Sequence, residues 1–332
     1  MRPLGQFETY LVHEFVEDYE DGLMTRRDMM RRVLHITGSV AATATILTTL
    51  GVTPAVRGAE AQEATPRPPS GPRSPLSVPA DDPRIIGEDI TFPSNGATIM
   101  AYQARPSGTA SGTPEAAASA SPAAGGAPPL VLICHENRGL TEHIRDVARR
   151  WAVEGYVACA VDLLSREGGT ASIADPSQVP SIISPDEKRP EQVGDFQAAI
   201  EHYKTQDFVD STRIGMTGFC FGGGVTWLAA TQIPELNAAA PYYGPPPPLD
   251  QVPNIRAAVI GVYSDDPNDG ANEGRDELVQ ALQAAGVTFE IKVYPNTQHA
   301  FNNDTGSRYN EEQSLAAWSD VTAWFEQYVK GA

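Results

Sequence analysis

One stretch constrains the fold more than any other: Ile214-Gly215-Met216-Thr217-Gly218-Phe219-Cys220-Phe221-Gly222-Gly223-Gly224. An apolar run ends in Gly-x-Cys-x-Gly-Gly, and a helix-like segment from Val225 to Gln232 follows. A strand that turns this sharply into a helix lifts one side chain above a sheet and presents it as a nucleophile. Gly218 and Gly222 suit such a turn, because strand and helix approach there too closely for a Cβ. Cys220 therefore stands where a serine is commoner. The plain alternative, a small buried cysteine beside a glycine-rich turn, does not account for glycines on both sides of it.

The rest of the composition mainly excludes. Over 332 residues the net charge is −18, so there is no basic surplus to neutralise phosphates, and a nucleic-acid partner is not expected. Three cysteines are present. Cys134 and Cys159 lie inside apolar runs and are expected as buried strand residues. Their odd number and their spacing fit neither a disulfide framework nor a metal cage. No HExxH, Walker-type loop or GxGxxG stands in a suitable strand-to-helix context, so no cofactor or metal is expected.

Three parts are expected along the chain. Residues 1–61 resemble an export signal and are read as lying outside the fold. They hold a short amphipathic stretch from Tyr10 to Phe15, the basic run beginning Thr25-Arg26-Arg27, an Ala/Thr-rich run from Val33 to Val56, and the cleavage candidate Ala59-Glu60-Ala61. The paired arginines and mild hydrophobicity point to the twin-arginine (Tat) route, with an exported, periplasmic or extracytoplasmic destination. An uncleaved membrane anchor is the alternative, although a Thr-rich run is poor for spanning, which needs about 20 apolar residues. Residues 62–82 form a Pro-rich linker. Residues 83–332 form the catalytic domain, interrupted at 107–129 by a stretch of Ala, Ser, Gly, Pro and Thr that cannot build a core.

Within that domain the pattern predicts a hairpin about Ser94-Asn95-Gly96. Strands then alternate with helices: Pro129 to His135, Glu142 to Glu154, Tyr156 to Val161, Val193 to Lys204, the Cys220 strand and helix, Ala238 to Tyr243, Ala257 to Tyr263, Asn272 to Ala285, Thr288 to Tyr294, and Asn310 to Val329. Such alternation implies an α/β fold, a mostly parallel sheet with helices on both faces. Functional residues then gather at the carboxyl ends of the strands.

The residues at those ends are His135-Glu136, Asp162, Arg166, Cys220, Asp265-Asp266 and His299. Nucleophile, then acid, then histidine is the chain order of the α/β-hydrolases. His299 is the expected base, since imidazole titrates near neutrality. Asp265, Asp266 and Asp269 are candidates for the acid that orients it, and Asp266 is the expected one. His135 is expected as scaffolding. The amides of Asn137 and Phe221 are expected to form the oxyanion hole. Glu136, directly after a buried strand, is a candidate switch on the thiol, because a nearby carboxylate raises a thiol pKa unless it accepts the proton.

Taken together, His135-Glu136-Asn137-Arg138-Gly139-Leu140, Asp162-Leu163, Gly218-Phe219-Cys220-Phe221-Gly222-Gly223 and His299-Ala300-Phe301-Asn302-Asn303 resemble the dienelactone hydrolase (carboxymethylenebutenolidase) family of α/β-hydrolases. The resemblance covers about residues 83–330. It implies a Cys220–His299–Asp triad, an acyl-thioenzyme formed from an ester or enol-lactone without a cofactor, and a Glu136 that holds the resting thiol until substrate binds. It also implies a carboxylate-binding role for Arg166. The family's second such arginine falls at Asn303, so one clamp is absent, and an amide does not replace a bidentate guanidinium.

The expected partner is a small-molecule ester or lactone, with the protein a monomer or small homo-oligomer and membrane contact only through an uncleaved leader. Two other readings compete: a non-catalytic exported binding module on the same fold, and a thiol redox protein. The redox reading lacks a resolving cysteine near Cys220 in sequence.

Overall fold

The computed structural model describes residues 3–52, 71–108 and 126–331. The Ala59-Glu60-Ala61 candidate, linker residues 62–70 and insertion residues 109–125 lie outside the described residues.

Eight strands form one sheet: β1 (Ile85–Ser94), β2 (Ala97–Pro106), β3 (Pro129–Cys134), β4 (Val157–Val161), β5 (Asp210–Phe219), β6 (Ala238–Tyr242), β7 (Ala258–Ser264) and β8 (Phe289–Tyr294). Their order is β1-β2-β4-β3-β5-β6-β7-β8. The first two form the hairpin that the sequence predicts. Ser94 pairs with Ala97, leaving Asn95-Gly96 as a two-residue loop with φ of 47° and 80°, the left-handed pair that such hairpins require. β2 runs antiparallel to β4, and every pairing from β4 through β3 to β8 is parallel. The inner strands β3, β4, β6 and β7 are buried along their whole length. That explains why they read as continuous apolar runs rather than alternating ones.

The helices are α1 (Gln6–Glu20), α2 (Arg26–Thr37), α3 (Val40–Thr49), α4 (Glu142–Val153), α5 (Val179–Ile183), α6 (Arg189–Tyr203), α7 (Phe221–Gln232), α8 (Arg275–Ala285) and α9 (Glu311–Phe325). The β3-to-β4 step crosses the sheet in the opposite direction to the β4-to-β5 and β5-to-β6 steps. Right-handed crossovers therefore put α4 on one face and α6 and α7 on the other. α9 joins α4 through Trp151, which lies 4.8 Å from Phe325 and 4.9 Å from Trp318, ring centre to ring centre.

The N-terminal residues depart from expectation. Residues 3–52 are not outside the fold: Phe7, Tyr10, Leu11, Phe15, Met29, Val33 and Ile36 belong to the same buried core as the sheet. The apolar run of the leader is broken at Gly38-Ser39, with Gly38 left-handed at the end of α2 and Ser39 capping α3. Among the described residues no helix is long and apolar enough to cross a membrane. The end of the linker is also held. Ser74 N donates to Asp304 (3.0 Å), and Val78 N donates to Asp146 of α4 (2.7 Å).

Candidate active site

β5 ends at Phe219 and α7 begins at Phe221, so Cys220 alone makes the turn, with φ 58° and ψ −123°. A non-glycine residue pays strain for that conformation, and the surroundings must hold it there. They do. Cys220 N donates to the Tyr242 carbonyl at 3.0 Å, and the Cys220 carbonyl accepts from Gly223 N at 2.8 Å. The flanking glycines are sterically required: a Cβ on Gly218 would lie 2.2 Å from the Gly222 carbonyl oxygen, and one on Gly222 would lie 2.4 Å from the His135 carbonyl oxygen. Phe221 opens α7, so its amide is one of the first-turn donors without an intrahelical acceptor.

His299 follows β8 and reaches the thiol from the neighbouring end of the sheet. Its Nδ1 lies 3.0 Å from Asp269 Oδ1. Asp269 is itself fixed, accepting from Ala271 N (2.9 Å) and from the Ser264 hydroxyl (2.5 Å). The carboxylate that meets His299 is therefore Asp269, not the expected Asp266. Asp266 accepts from Asn268 N at 2.9 Å and stabilises its own turn. Asp265 accepts from the amides of Asn296 and Thr297 and pins the loop that carries His299. The turn that begins after β7 buries the third aspartate and leaves the first exposed and the second half-buried.

The thiol's partner is a residue the sequence reading did not include. Both carboxylate oxygens of Glu14, on α1, lie 3.3 Å from Cys220 Sγ. Glu14 Oε1 also forms a very short contact with His299 Nε2 and accepts from the Tyr10 hydroxyl at 2.5 Å. Oε2 accepts from Asn137 Nδ2 at 3.0 Å. Glu136, the expected holder of the thiol, is instead tied to Asn303, whose Nδ2 donates to its Oε2 at 2.8 Å. Cys220, His299 and Glu14 are 4%, 4% and 5% exposed, so their charges interact with little screening. Burial and the adjacent Glu14 push the Cys220 thiol up to about 12. Burial alone would lower the His299 pKa, but Glu14 and Asp269 on either side raise it well above the ordinary imidazole value. Glu14 and Asp269 are themselves held below the usual carboxylate range: burial would raise them, and His299 overrides it. These directions all favour an uncharged thiol and a charged imidazole between two carboxylates.

His135 is scaffolding, as expected. Its Nε2 accepts from Leu163 N at 3.1 Å, so the ring proton sits on Nδ1, 2.7 Å from the Glu136 carbonyl. Cys134 and Cys159 are buried free thiols. Arg166 is not free to clamp a carboxylate: its NH1 and NH2 groups donate to Asp195 at 2.6 and 2.9 Å, and its Nε lies 3.2 Å from Glu191. The donor atoms of Glu14, Cys220 and His299 lie within 4.8 Å of one another, a donor set of the zinc kind that the cysteine spacing did not foreshadow. One signal for Glu14 was legible. Phe7, Tyr10, Leu11 and Phe15 recur at helical spacing, and Glu14 falls on the same stripe, a carboxylate aimed into a buried face.

The profile of the dienelactone hydrolase family matches residues 116–329. A Salmonella typhi protein named "Putative carboxymethylenebutenolidase" is 34% identical over 276 residues, covering 79% of this chain and 94% of its own. A Methylorubrum extorquens protein of the same name is 31% identical, with coverages of 76% and 84%. The chain belongs to the dienelactone hydrolase family. Membership places it among carboxylic ester and lactone hydrolases. Among solved structures, a "Putative Dienelactone Hydrolase" from Klebsiella pneumoniae superposes with a TM-score of 0.63 at 33% identity, over 74% of this chain and 99% of that one. A dienelactone hydrolase-like promiscuous phosphotriesterase from metagenomic libraries shares the fold, with a TM-score of 0.61 at 21% identity over the same shares of the two chains.

Proposed function

We propose that this dienelactone hydrolase family protein cleaves a carboxylic ester or lactone through a Cys220 acyl-thioenzyme, with His299 as base and Asp269 as its orienter. The observation that carries this reading is the Asp269–His299 contact of 3.0 Å beside a cysteine at a strained strand-to-helix turn. In the active form, His299 Nε2 takes the thiol proton and Sγ attacks the acyl carbon. The oxyanion forms against the Phe221 amide and the Asn137 loop. The carbonyl re-forms, the C–O bond to the leaving group breaks, and His299 returns the proton to the alkoxide. Water then repeats the sequence on the thioester: His299 takes a water proton, hydroxide adds, and the thiolate leaves and is reprotonated. Carboxylic acid and alcohol are the products, or a single hydroxy acid from a lactone.

The preferred substrate is an ester or lactone that needs no carboxylate of its own. Two observations favour this: Arg166 is occupied by Asp195 and Glu191, and Asn303 is tied to Glu136. A panel of esters and lactones with and without a free carboxylate tests it, using full-length protein as wild type and as Glu14→Ala, because Glu14 contacts both reacting groups. Neutral esters are expected to be turned over best, and Cys220→Ala to lower kcat/KM by about 10³-fold or more. Full turnover by Cys220→Ala in both backgrounds would remove the nucleophile assignment, whereas no turnover by either wild type or Glu14→Ala would leave the non-catalytic binding module as the better account. A strong preference for carboxylate-bearing lactones would return Arg166 to a binding role.

Export through the twin-arginine route is a further part of the proposal. Its support is the Arg26-Arg27 pair at the start of α2, with Arg27 exposed. Replacing both arginines with lysine is expected to keep the protein in the cytoplasm, and undiminished appearance outside it would end this reading.

A further inference from the structure

The hydrolytic reading makes no use of Glu14, yet Glu14 holds the centre of the site. Its two oxygens are not equivalent. Oε2 accepts from the Asn137 side chain, on the loop expected to face the oxyanion. Oε1 meets His299 Nε2, the atom that would activate water. The thiol lies 3.3 Å from both. The complex that precedes product release in ester hydrolysis has this form. One product oxygen is the former carbonyl oxygen on the oxyanion side. The other is the former water oxygen beside the histidine, and the thiol has just left the carbon between them.

We propose that α1 is a built-in competitive inhibitor whose Glu14 carboxylate fills the active site as a mimic of the carboxylate product, and that the active protein is the form from which α1 has withdrawn. The inference rests on the hydrolytic reading of the site. It also assigns the site a ligand class, a free carboxylate offered without help from Arg166. In the docked form His299 Nε2 is committed to Glu14, so it has no lone pair for the thiol proton. The carboxylate also stands where a substrate carbonyl would have to lie.

The docking surface is built to hold α1 from its outer side. Arg308 pairs with Asp18 at 2.9 Å and with Asp21 at 2.7 Å, and Gln298 donates to Asp21 at 3.2 Å. At the other end the Arg189 guanidinium lies 4.1 Å from the Phe7 ring centre, and Phe7 meets the Phe221 ring edge-on at 5.4 Å. Arg308 touches α1 from outside the reacting groups, so it offers a way to loosen the helix without altering them.

The test uses full-length wild type, Glu14→Ala, Glu14→Gln and Arg308→Ala. Iodoacetamide labelling of Cys220 is measured together with p-nitrophenyl acetate turnover and its inhibition by butyrate. A helix docked nine-tenths of the time holds the competent fraction near one tenth, so releasing it is expected to raise labelling and kcat/KM by up to about tenfold in Glu14→Ala. Glu14→Gln is expected to follow in the same direction, and Arg308→Ala by a smaller factor. Butyrate is expected to inhibit Glu14→Ala competitively and to act on the wild type with an apparent inhibition constant about tenfold higher, because Glu14 fills its place in the docked form. Unchanged labelling and turnover in both Glu14→Ala and Arg308→Ala, with native circular dichroism, would overturn the inference. So would activation of the wild type by a chelator alone, which would make the cluster a metal site. Faster labelling without Cys220-dependent turnover would keep the plug and remove the hydrolytic reading. Cys220-dependent turnover that ignores α1 would do the reverse.

Discussion

At the residue scale, three aspartates within five positions hold three different posts. Asp265 fastens the histidine loop, Asp266 closes its own turn, and Asp269 alone reaches the imidazole. Removing the charge that orients a catalytic histidine typically costs orders of magnitude. Asp269→Asn is therefore expected to lower kcat about 10³- to 10⁴-fold and Asp266→Asn to leave it within about twofold. Steady-state rates on p-nitrophenyl acetate decide this, and the opposite ranking would move the orienting role to Asp266. Gly218 is a second residue-scale case. An added methyl would meet the Gly222 carbonyl oxygen at 2.2 Å, a backbone atom that cannot swing aside, and the Thr226 hydroxyl at 2.5 Å. Gly218→Ala is expected to cost about 2 kcal/mol or more in urea unfolding. A loss under half of that would mean the elbow relaxes more easily than its geometry suggests.

At the element scale, α1 is the surprise. Its sequence is amphipathic, but its place before a basic run and an Ala/Thr-rich stretch gave it the look of a targeting segment. Packing gives it a second identity, because Phe7, Leu11 and Phe15 enter the domain core and carry Glu14 with them. The ion pair it makes is pH-dependent with a definite sign. Glu14 has a folded pKa below its ordinary 4.5, so its contribution is complete above about 4.5 and is lost as pH falls through the folded value. His299 has a folded pKa well above 6.5, so its contribution is complete below about 6.5 and is lost as pH rises through the folded value. Both are whole only between about pH 4.5 and 6.5. The melting-temperature gap between wild type and Glu14→Gln is expected to be widest there and to narrow on both sides. A gap that is flat from pH 4 to 9 would show that the pair contributes shape rather than charge.

At the scale of the whole molecule, one buried node ties segments that are far apart in the chain. Asp304, after the histidine loop, accepts from Ser74 N at the end of the linker. It also pairs with His143 at 3.0 Å and Arg150 at 2.9 Å, both on α4. Burial would raise its pKa, and His143 and Arg150 drive it far below the usual carboxylate range instead. Removing one member of a buried charged set leaves the others unpaired. Asp304→Ala is therefore expected to destabilise by about 3 kcal/mol, read from the urea midpoint. A neutral result would mean that Asp146 takes over Arg150 unaided.

The sequence alone determined what local sterics and periodicity decide. Glycines flanking Cys220 suit a close turn, Asn95-Gly96 suits a tight hairpin, and short unbroken apolar runs between helical stretches suit inner parallel strands. Those rules also put Cys220, His299 and Glu136 at one edge of one sheet. Tertiary structure decided which polar groups meet there, because charge pairing depends on distances that no local rule sets. Spacing could not choose among Asp265, Asp266 and Asp269, since the turn after β7 determines which carboxylate is buried. Arg166 looked free until α6 brought Asp195 and Glu191 against it. The partner of the thiol came from 206 residues away, on a helix whose own sequence pointed elsewhere.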